Sequence, residues 1–112
     1  MENTESLKKR TDFKKVYDNK KSYANKYLVM YVKKNDLKIN RLGISVSKKV
    51  GNSVVRHRVK RLIKEGYRLQ EDSFKYGYDI VVIARNSVVG KSAQEVEKAV
   101  VHLGSLHHLL ID

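Results

Sequence analysis

The segment Ile80-Val-Val-Ile-Ala84 sets the tightest limit on what this 112-residue chain can fold into. Its apolar residues run together without the polar alternation of a strand that has one wet face, so Asp79 to Ala84 reads as a central strand needing cover from other elements. Thr11 to Tyr17 reads as a short helix, with Phe13, Val16 and Tyr17 on one face and Thr11 or a neighbour as its cap. Tyr27 to Val32 is β-branched and aromatic. The Asn35-Asp36 turn then returns the chain into Ile39 to Ser47, where Arg41, Gly43, Ser45 and Ser47 alternate with Leu42, Ile44 and Val46. These two segments are expected to pair as a hairpin. Gly51-Asn52-Ser53 is a turn followed by a capping residue, and Val54 to Leu69 is the clearest helix in the chain. A capping box at Ser92-Ala-Gln-Glu95 opens a last helix, with Val96, Ala99, Val100, Leu103, Leu106 and Leu110 as its apolar stripe. The order predicts an α+β fold, helices packed on a small sheet, in one domain spanning residues 1–112.

Charge narrows the function. Lys and Arg number 24 against 12 Asp and Glu, for a net +12, while a hydrophobic content of 41% is too high for an expanded tail. A folded surface must carry the excess, and a polyanion is its natural partner. The excess is concentrated: Lys8 to Lys34 contains ten Lys or Arg against Asp12 and Asp18, and Lys48 to Arg68 contains eight against Glu65 alone. With no Cys there is no disulfide framework and no Cys-ligated zinc. No segment approaches the ~20 apolar residues of a membrane span, and Met1 to Arg10 lacks the apolar stretch of a secretory signal, so no membrane partner and a cytoplasmic location are expected.

At roughly 100 degrees per residue, Val55, Val59, Leu62, Ile63, Gly66 and Leu69 gather on one arc of the basic helix. Arg56, His57, Lys60, Arg61, Lys64 and Arg68 lie across the other. Arg58 and Glu65 fall on the border, where Glu65 is expected to neutralise Arg58, Arg61 or both. Basic surface helices often serve solubility alone. Here the crowding of like charge exceeds that need, and a bound polyanion would relieve it.

The run Ser45-Val-Ser-Lys-Lys-Val-Gly-Asn-Ser-Val-Val-Arg-His-Arg-Val-Lys-Arg-Leu-Ile-Lys-Glu65 closely resembles the protein subunit of bacterial ribonuclease P. That family's signature is a lysine-rich turn, Gly-Asn, then a helix opening with Arg-Asn-Arg and continuing with a Lys-Arg pair. The likeness extends to Leu7-Lys-Lys-Arg-Thr-Asp-Phe-Lys-Lys-Val-Tyr17, to Ala24-Asn-Lys26, to Arg41-Leu-Gly-Ile-Ser-Val-Ser47 and to Asp79 through Arg85. It implies an αβββαβα order with a four-stranded sheet, a short strand near Tyr23, and a left-handed crossover through the basic helix, against the usual hand.

The same resemblance implies roles. Arg56, His57, Arg58, Lys60, Arg61, Lys64 and Arg68, with Lys48, Lys49 and Asn52 of the leading turn, would meet the ribonuclease P RNA. Phe13, Tyr17, Tyr31, Ser45 and Ser47 would line a cleft for the single-stranded 5′ leader of precursor tRNA. A cationic groove with aromatic platforms suits a single strand bound without strict sequence preference. Read without the resemblance, Phe13 and Tyr31 are more readily ordinary core aromatics. Mg²⁺ and cleavage would belong to the RNA subunit, and the free protein is expected to be a monomer.

Two departures stand out. His57 occupies the place of the signature's Asn, and Asn19-Lys20 stands where the family commonly has Gly. His102, His107 and His108 lack the i, i+4 spacing of helical metal ligands. No nucleophile triad or paired carboxylates stand out either. The competing classes are a general RNA-binding or ribosomal protein, a stand-alone metal nuclease, and a DNA-reading helix domain.

Overall fold

The computed structural model describes residues 1–111. Its elements are β1 (Thr4–Ser6), α1 (Arg10–Asp18), β2 (Ser22–Ala24), β3 (Leu28–Lys34), β4 (Asn40–Ser45), α2 (Ser53–Gln70), β5 (Tyr78–Ala84) and α3 (Ala93–Leu106), with 3-10 turns at Glu71–Ser73 and Asn86–Val88. The strands form one sheet in the order β1-β4-β5-β3-β2. β5 is central, parallel to β4 and antiparallel to β3, and Ile80, Val81 and Val82 are fully buried.

This placement corrects the expected hairpin. β3 and β4 follow one another in sequence but do not pair, because β5 lies between them. The physical reason is in β5 itself: apolar on both faces, it gains most from two neighbours, and a β3–β4 hairpin would leave it only an edge. The sheet also has five strands rather than four. β1 is a three-residue edge strand, Thr-Glu-Ser, paired parallel to Asn40, Arg41 and Leu42. It has no apolar alternation to announce it. The short strand near Tyr23 is present as β2, paired antiparallel to β3.

The two sheet faces are covered unequally. On one, Leu28, Met30, Val32, Leu42, Ile80 and Val82 join Val59, Ile63 and Tyr67 of α2 and Val96, Val100 and Leu103 of α3 in the main core. Gly66 lets these helices approach closely, since a Cβ there would lie 3.1 Å from Glu97 Cα. On the other face, α1 alone seals a small cluster of Leu7, Val16 and Val81, with Phe13, Tyr17, Tyr31 and Ile83 at its margin.

Helix ends and faces depart from expectation in detail. α1 begins at Arg10 with Lys9 as N-cap and no side-chain cap, so Thr11 does not cap it. In α2 the cap is Asn52, whose side chain accepts from the Val55 amide at 3.0 Å. Leu69, expected in the core arc, is 54% exposed, and Tyr67 takes the buried place. The capping box at Ser92 and Glu95 forms as expected. Leu110 lies beyond α3 and bridges to Phe74 instead of extending the helical stripe.

Tyr67 is tied to three strands through a buried polar network. Its hydroxyl shares a hydrogen bond with Thr4 Oγ1 at 2.9 Å and accepts from Asn40 Nδ2 at 3.1 Å. Asn40 also donates to the Lys75 carbonyl at 2.9 Å and accepts from the Tyr78 amide at 3.0 Å, at the entry to β5. Burial pushes the Tyr67 phenol above its ordinary range, with the Thr4 and Asn40 hydrogen bonds opposing. Replacing Asn40 by Ala leaves several of these groups unpaired in the interior. The expected cost is about 2–3 kcal/mol, read as a lower urea midpoint with an unchanged slope.

Candidate nucleic-acid interface

Apart from Arg68, α2 presents its cations without an ion-pair partner among the described residues. His57, Arg58, Lys60, Arg61, Lys64 and Arg68 are exposed, Arg56 is half-buried, and Lys48 and Lys49 are exposed in the turn closed by the Val50 amide on the Ser47 carbonyl at 3.1 Å. The first turn of α2 carries no acid. Positive side chains thus crowd the positive end of the helix dipole, an arrangement that repels itself and favours an external anion.

Glu65 does not serve Arg58 or Arg61, contrary to expectation. It takes Arg68, whose Nε and Nη2 donate to its two oxygens at 2.9 and 2.6 Å, and this pairing holds the Glu65 carboxyl below its usual range. The i, i+3 geometry brings the guanidinium alongside both oxygens. Arg68 is therefore already occupied at the far end of the face. Among the described residues, Lys48, Lys49, Arg56, Arg58, Lys60, Arg61 and Lys64 make no ion pair.

The aromatic residues assemble on the opposite sheet face. Phe13 sits over Gly43 of β4 so closely that a Cβ on that glycine would lie 2.5 Å from Phe13 Cζ. Tyr17, one turn on, is 6.4 Å from Phe13 between ring centroids and meets Tyr31 edge to face at 5.0 Å. All three rings are half-buried. The core reading and the cleft reading of these aromatics are thus compatible, because each ring packs against the α1–sheet cluster and still offers surface to solvent. Burial raises the Tyr17 phenol, opposed in part by the Ser45 hydroxyl, so the ring stays uncharged. Ser45 ends β4 beside it. Ser47 lies outside the strand, in the turn that leads to α2, and does not extend the polar row of β4.

Two features that the sequence reading missed join these regions. Arg41 donates to Asp79 from Nε at 2.8 Å and from Nη2 at 2.6 Å, and its Nη1 is 3.7 Å from Asp12 of α1. This chain of charges pins the first turn of α1 to β4 and β5. Only the strand register, which sets Arg41 opposite Asp79, could have revealed it. Second, β1 pairs with β4 only as far as Leu42, and beside the open edge a groove of about 440 Å³ runs from Phe13, Leu7 and Ile44 to Lys60 and Lys64. Two cations of α2, Lys60 and Lys64, and the Phe13 ring therefore border one depression. Val54 is an exposed apolar side chain at the start of this basic helix.

Among the described residues, no group of three or more His, Asp or Glu is placed to hold a metal ion. Asp12 and Asp79 beside the cleft are committed to Arg41, while Glu5 of β1 lines the groove and is exposed.

A family model described as Ribonuclease P matches residues 1–106. The ribonuclease P protein component of Lachnoclostridium phytofermentans is 59% identical over 107 residues, covering 96% of this chain and 92% of that protein. That of Clostridium botulinum is 57% identical over 98 residues, covering 87% and 88%. Among solved structures, the RNase P protein of Staphylococcus aureus superposes with a TM-score of 0.85 at 33% identity, covering 95% of this chain and 97% of that one. The Thermotoga maritima RNase P protein gives 0.84 at 31%, covering 91% and 96%.

The contact of Phe13 on Gly43 gives a local prediction. Gly43→Val should displace α1, lowering stability by about 1–3 kcal/mol. Hydrogen exchange should show α1 amides losing protection while those of α2 keep it; equal loss in both helices would mean that Gly43 has no special role under α1.

Proposed function

The chain belongs to the ribonuclease P protein family and is a protein subunit of that tRNA-processing ribonucleoprotein; from this premise we propose how its surface divides the task. The solvent face of α2 and its leading turn bind the catalytic RNA, and the cleft between α1 and the sheet holds the 5′ leader of precursor tRNA. One observation carries this reading: Lys60 and Lys64 of α2 open onto the same groove as the half-buried ring of Phe13, which leads on to Tyr17 and Tyr31. A protein bound to the RNA subunit through the first is thereby placed to hold a strand in the second.

Lys48, Lys49, Arg56, Arg58, Lys60, Arg61 and Lys64 supply phosphate contacts and release counterions as they form. Arg68 contributes less, since Glu65 already occupies it. Asn52 keeps its amide NH₂ for RNA while its oxygen caps the helix. His57 is exposed between Arg56 and Arg58, where a neutral imidazole donates from one nitrogen and accepts on the other, as an Asn amide would with its two ends. Phe13, Tyr17 and Tyr31 offer ring surface to leader bases, and the Ser45 and Ser47 hydroxyls hydrogen-bond phosphate or sugar.

Mg²⁺ would supply the hydrolytic chemistry and, on this reading, is held by the RNA subunit, since among the described residues no group of three or more acids or histidines gathers here. The chain's own contribution is affinity and placement: a held leader distinguishes precursor from mature tRNA and lowers the metal concentration needed for activity. The protein acts in the cytoplasm and is a monomer before assembly.

Reconstitution tests this directly. Alone, the protein should leave precursor tRNA uncut; with a bacterial ribonuclease P RNA at low Mg²⁺ it should restore cleavage, and failure to do so would sink the reading. Arg58→Ala or Lys60→Ala should weaken assembly, with the salt dependence shallower by about one unit of log–log slope per lost phosphate contact. Phe13→Ala or Tyr17→Ala should cost about 1–3 kcal/mol in binding of precursor and nothing for mature tRNA. Equal losses for both tRNAs would remove the leader from the cleft.

A further inference from the structure

A second groove, of about 680 Å³, lies where α1 ends and the edge strand β2 begins. Lys20, Lys21, Lys33 and Lys34 stand around it with Tyr23 and His107, and no carboxylate lines it. The nearby acid Asp18 is held by Lys14 at 2.6 Å. Tyr23 is 47% exposed, and its ring is fixed by the edge of His107 at 4.7 Å between centroids. His107 is itself anchored, its Nε2–H donating to the Met30 carbonyl at 2.8 Å. A cationic rim around a braced aromatic ring is the composition of a single-strand site.

Two observations connect this groove to the leader cleft. Ser22 of β2 is the register partner of Tyr31 and extends the cleft face to the sheet edge, while Tyr23, the partner of Met30, faces the α3 side, so a strand passes from cleft to groove around the β2 edge. Lys20 adopts φ 59, a left-handed conformation that glycine takes freely and a lysine does not. The turn is secured by the Lys20 amide on the Tyr17 carbonyl at 3.0 Å and by Asn19 Nδ2 on the Val32 carbonyl at 3.1 Å. A cation thus stands where backbone geometry alone favours a residue without a side chain, directly after the α1 turn that carries Tyr17.

We propose that this groove takes the part of the single-stranded leader that extends beyond the aromatic cleft, with phosphates on Lys20, Lys21 and Lys34 and a base on the Tyr23 ring. The inference rests on the leader reading of the cleft. It makes this subunit sensitive to leader length, because a short leader ends before β2 and a long one crosses it.

The test uses the reconstituted holoenzyme with precursors carrying leaders of about four and about twelve nucleotides, and with mature tRNA. The variant Lys20→Gly/Lys21→Ala/Lys34→Ala removes three exposed charges and relieves the left-handed backbone, so it should fold. It should weaken binding of the long-leader precursor roughly five- to tenfold and flatten its salt slope by about two, leaving the short-leader precursor and mature tRNA unchanged. Equal weakening of all three RNAs would assign the groove to the tRNA body or the RNA subunit and overturn the proposal, as would no change in any. Tyr17→Ala, measured in parallel, separates the two readings: if it weakens mature tRNA as much as both precursors, the cleft assignment has failed, whereas the leader-length difference of the triple variant reports on the groove alone.

Discussion

Burial of β5 on both faces is the constraint that organises this molecule. Ile80, Val81 and Val82 reach complete burial only if both sides of the sheet are covered, and the chain has three helices with which to do so. Two of them, α2 and α3, pack together on one side. The other side is left to α1, whose nine residues span about 14 Å against a five-stranded sheet about 19 Å across. One short helix cannot close that face. The rings of Phe13, Tyr17 and Tyr31 finish the seal over Val81 and, being half-buried, remain available at its edge. The proposed leader cleft is therefore what incomplete cover of a central strand leaves behind.

Electrostatics follows the same division. Where a charge must hold the fold, it is compensated: Asp12 and Asp79 flank Arg41 at the root of α1, and Glu65 closes on Arg68 near the end of α2. Between Lys48 and Lys64 no such compensation exists among the described residues, and the helix dipole adds to the strain at the α2 N-terminus. The free protein carries this repulsion on a surface wet enough to screen it. A polyanion relieves it, so the cations favour assembly while the core residues of α2 secure the helix that displays them.

Much of this was legible in the chain. The unbroken apolar run identified the central strand, the Ser92–Glu95 spacing identified a capping box that forms, and helical periodicity separated the faces of α2 apart from Tyr67 and Leu69. What escaped depends on contacts between distant residues. Nothing local in Leu28–Lys34 or Asn40–Ser45 says that β5 will enter between them, since each is an acceptable hairpin partner for the other. β1 forms because β4 offers it an edge and Tyr67 offers Thr4 a hydrogen bond, and neither condition is written in Thr-Glu-Ser. Glu65 had three arginines within reach, and only the rotamers of the folded helix select Arg68. Lys20 was visible as an oddity in a turn, but its left-handed backbone appears only in the structure.

The leader is assigned to the α1 side of the sheet and the catalytic RNA to α2. Aromatic NMR spectra of the free protein, titrated with a short single-stranded RNA of leader sequence, separate these two surfaces. Shifts are expected at the ring protons of Phe13, Tyr17 and Tyr31 and at the Ser45 amide, with the amides of Arg56 to Arg58 unmoved. Shifts confined to α2, with the three rings silent, would contradict this assignment.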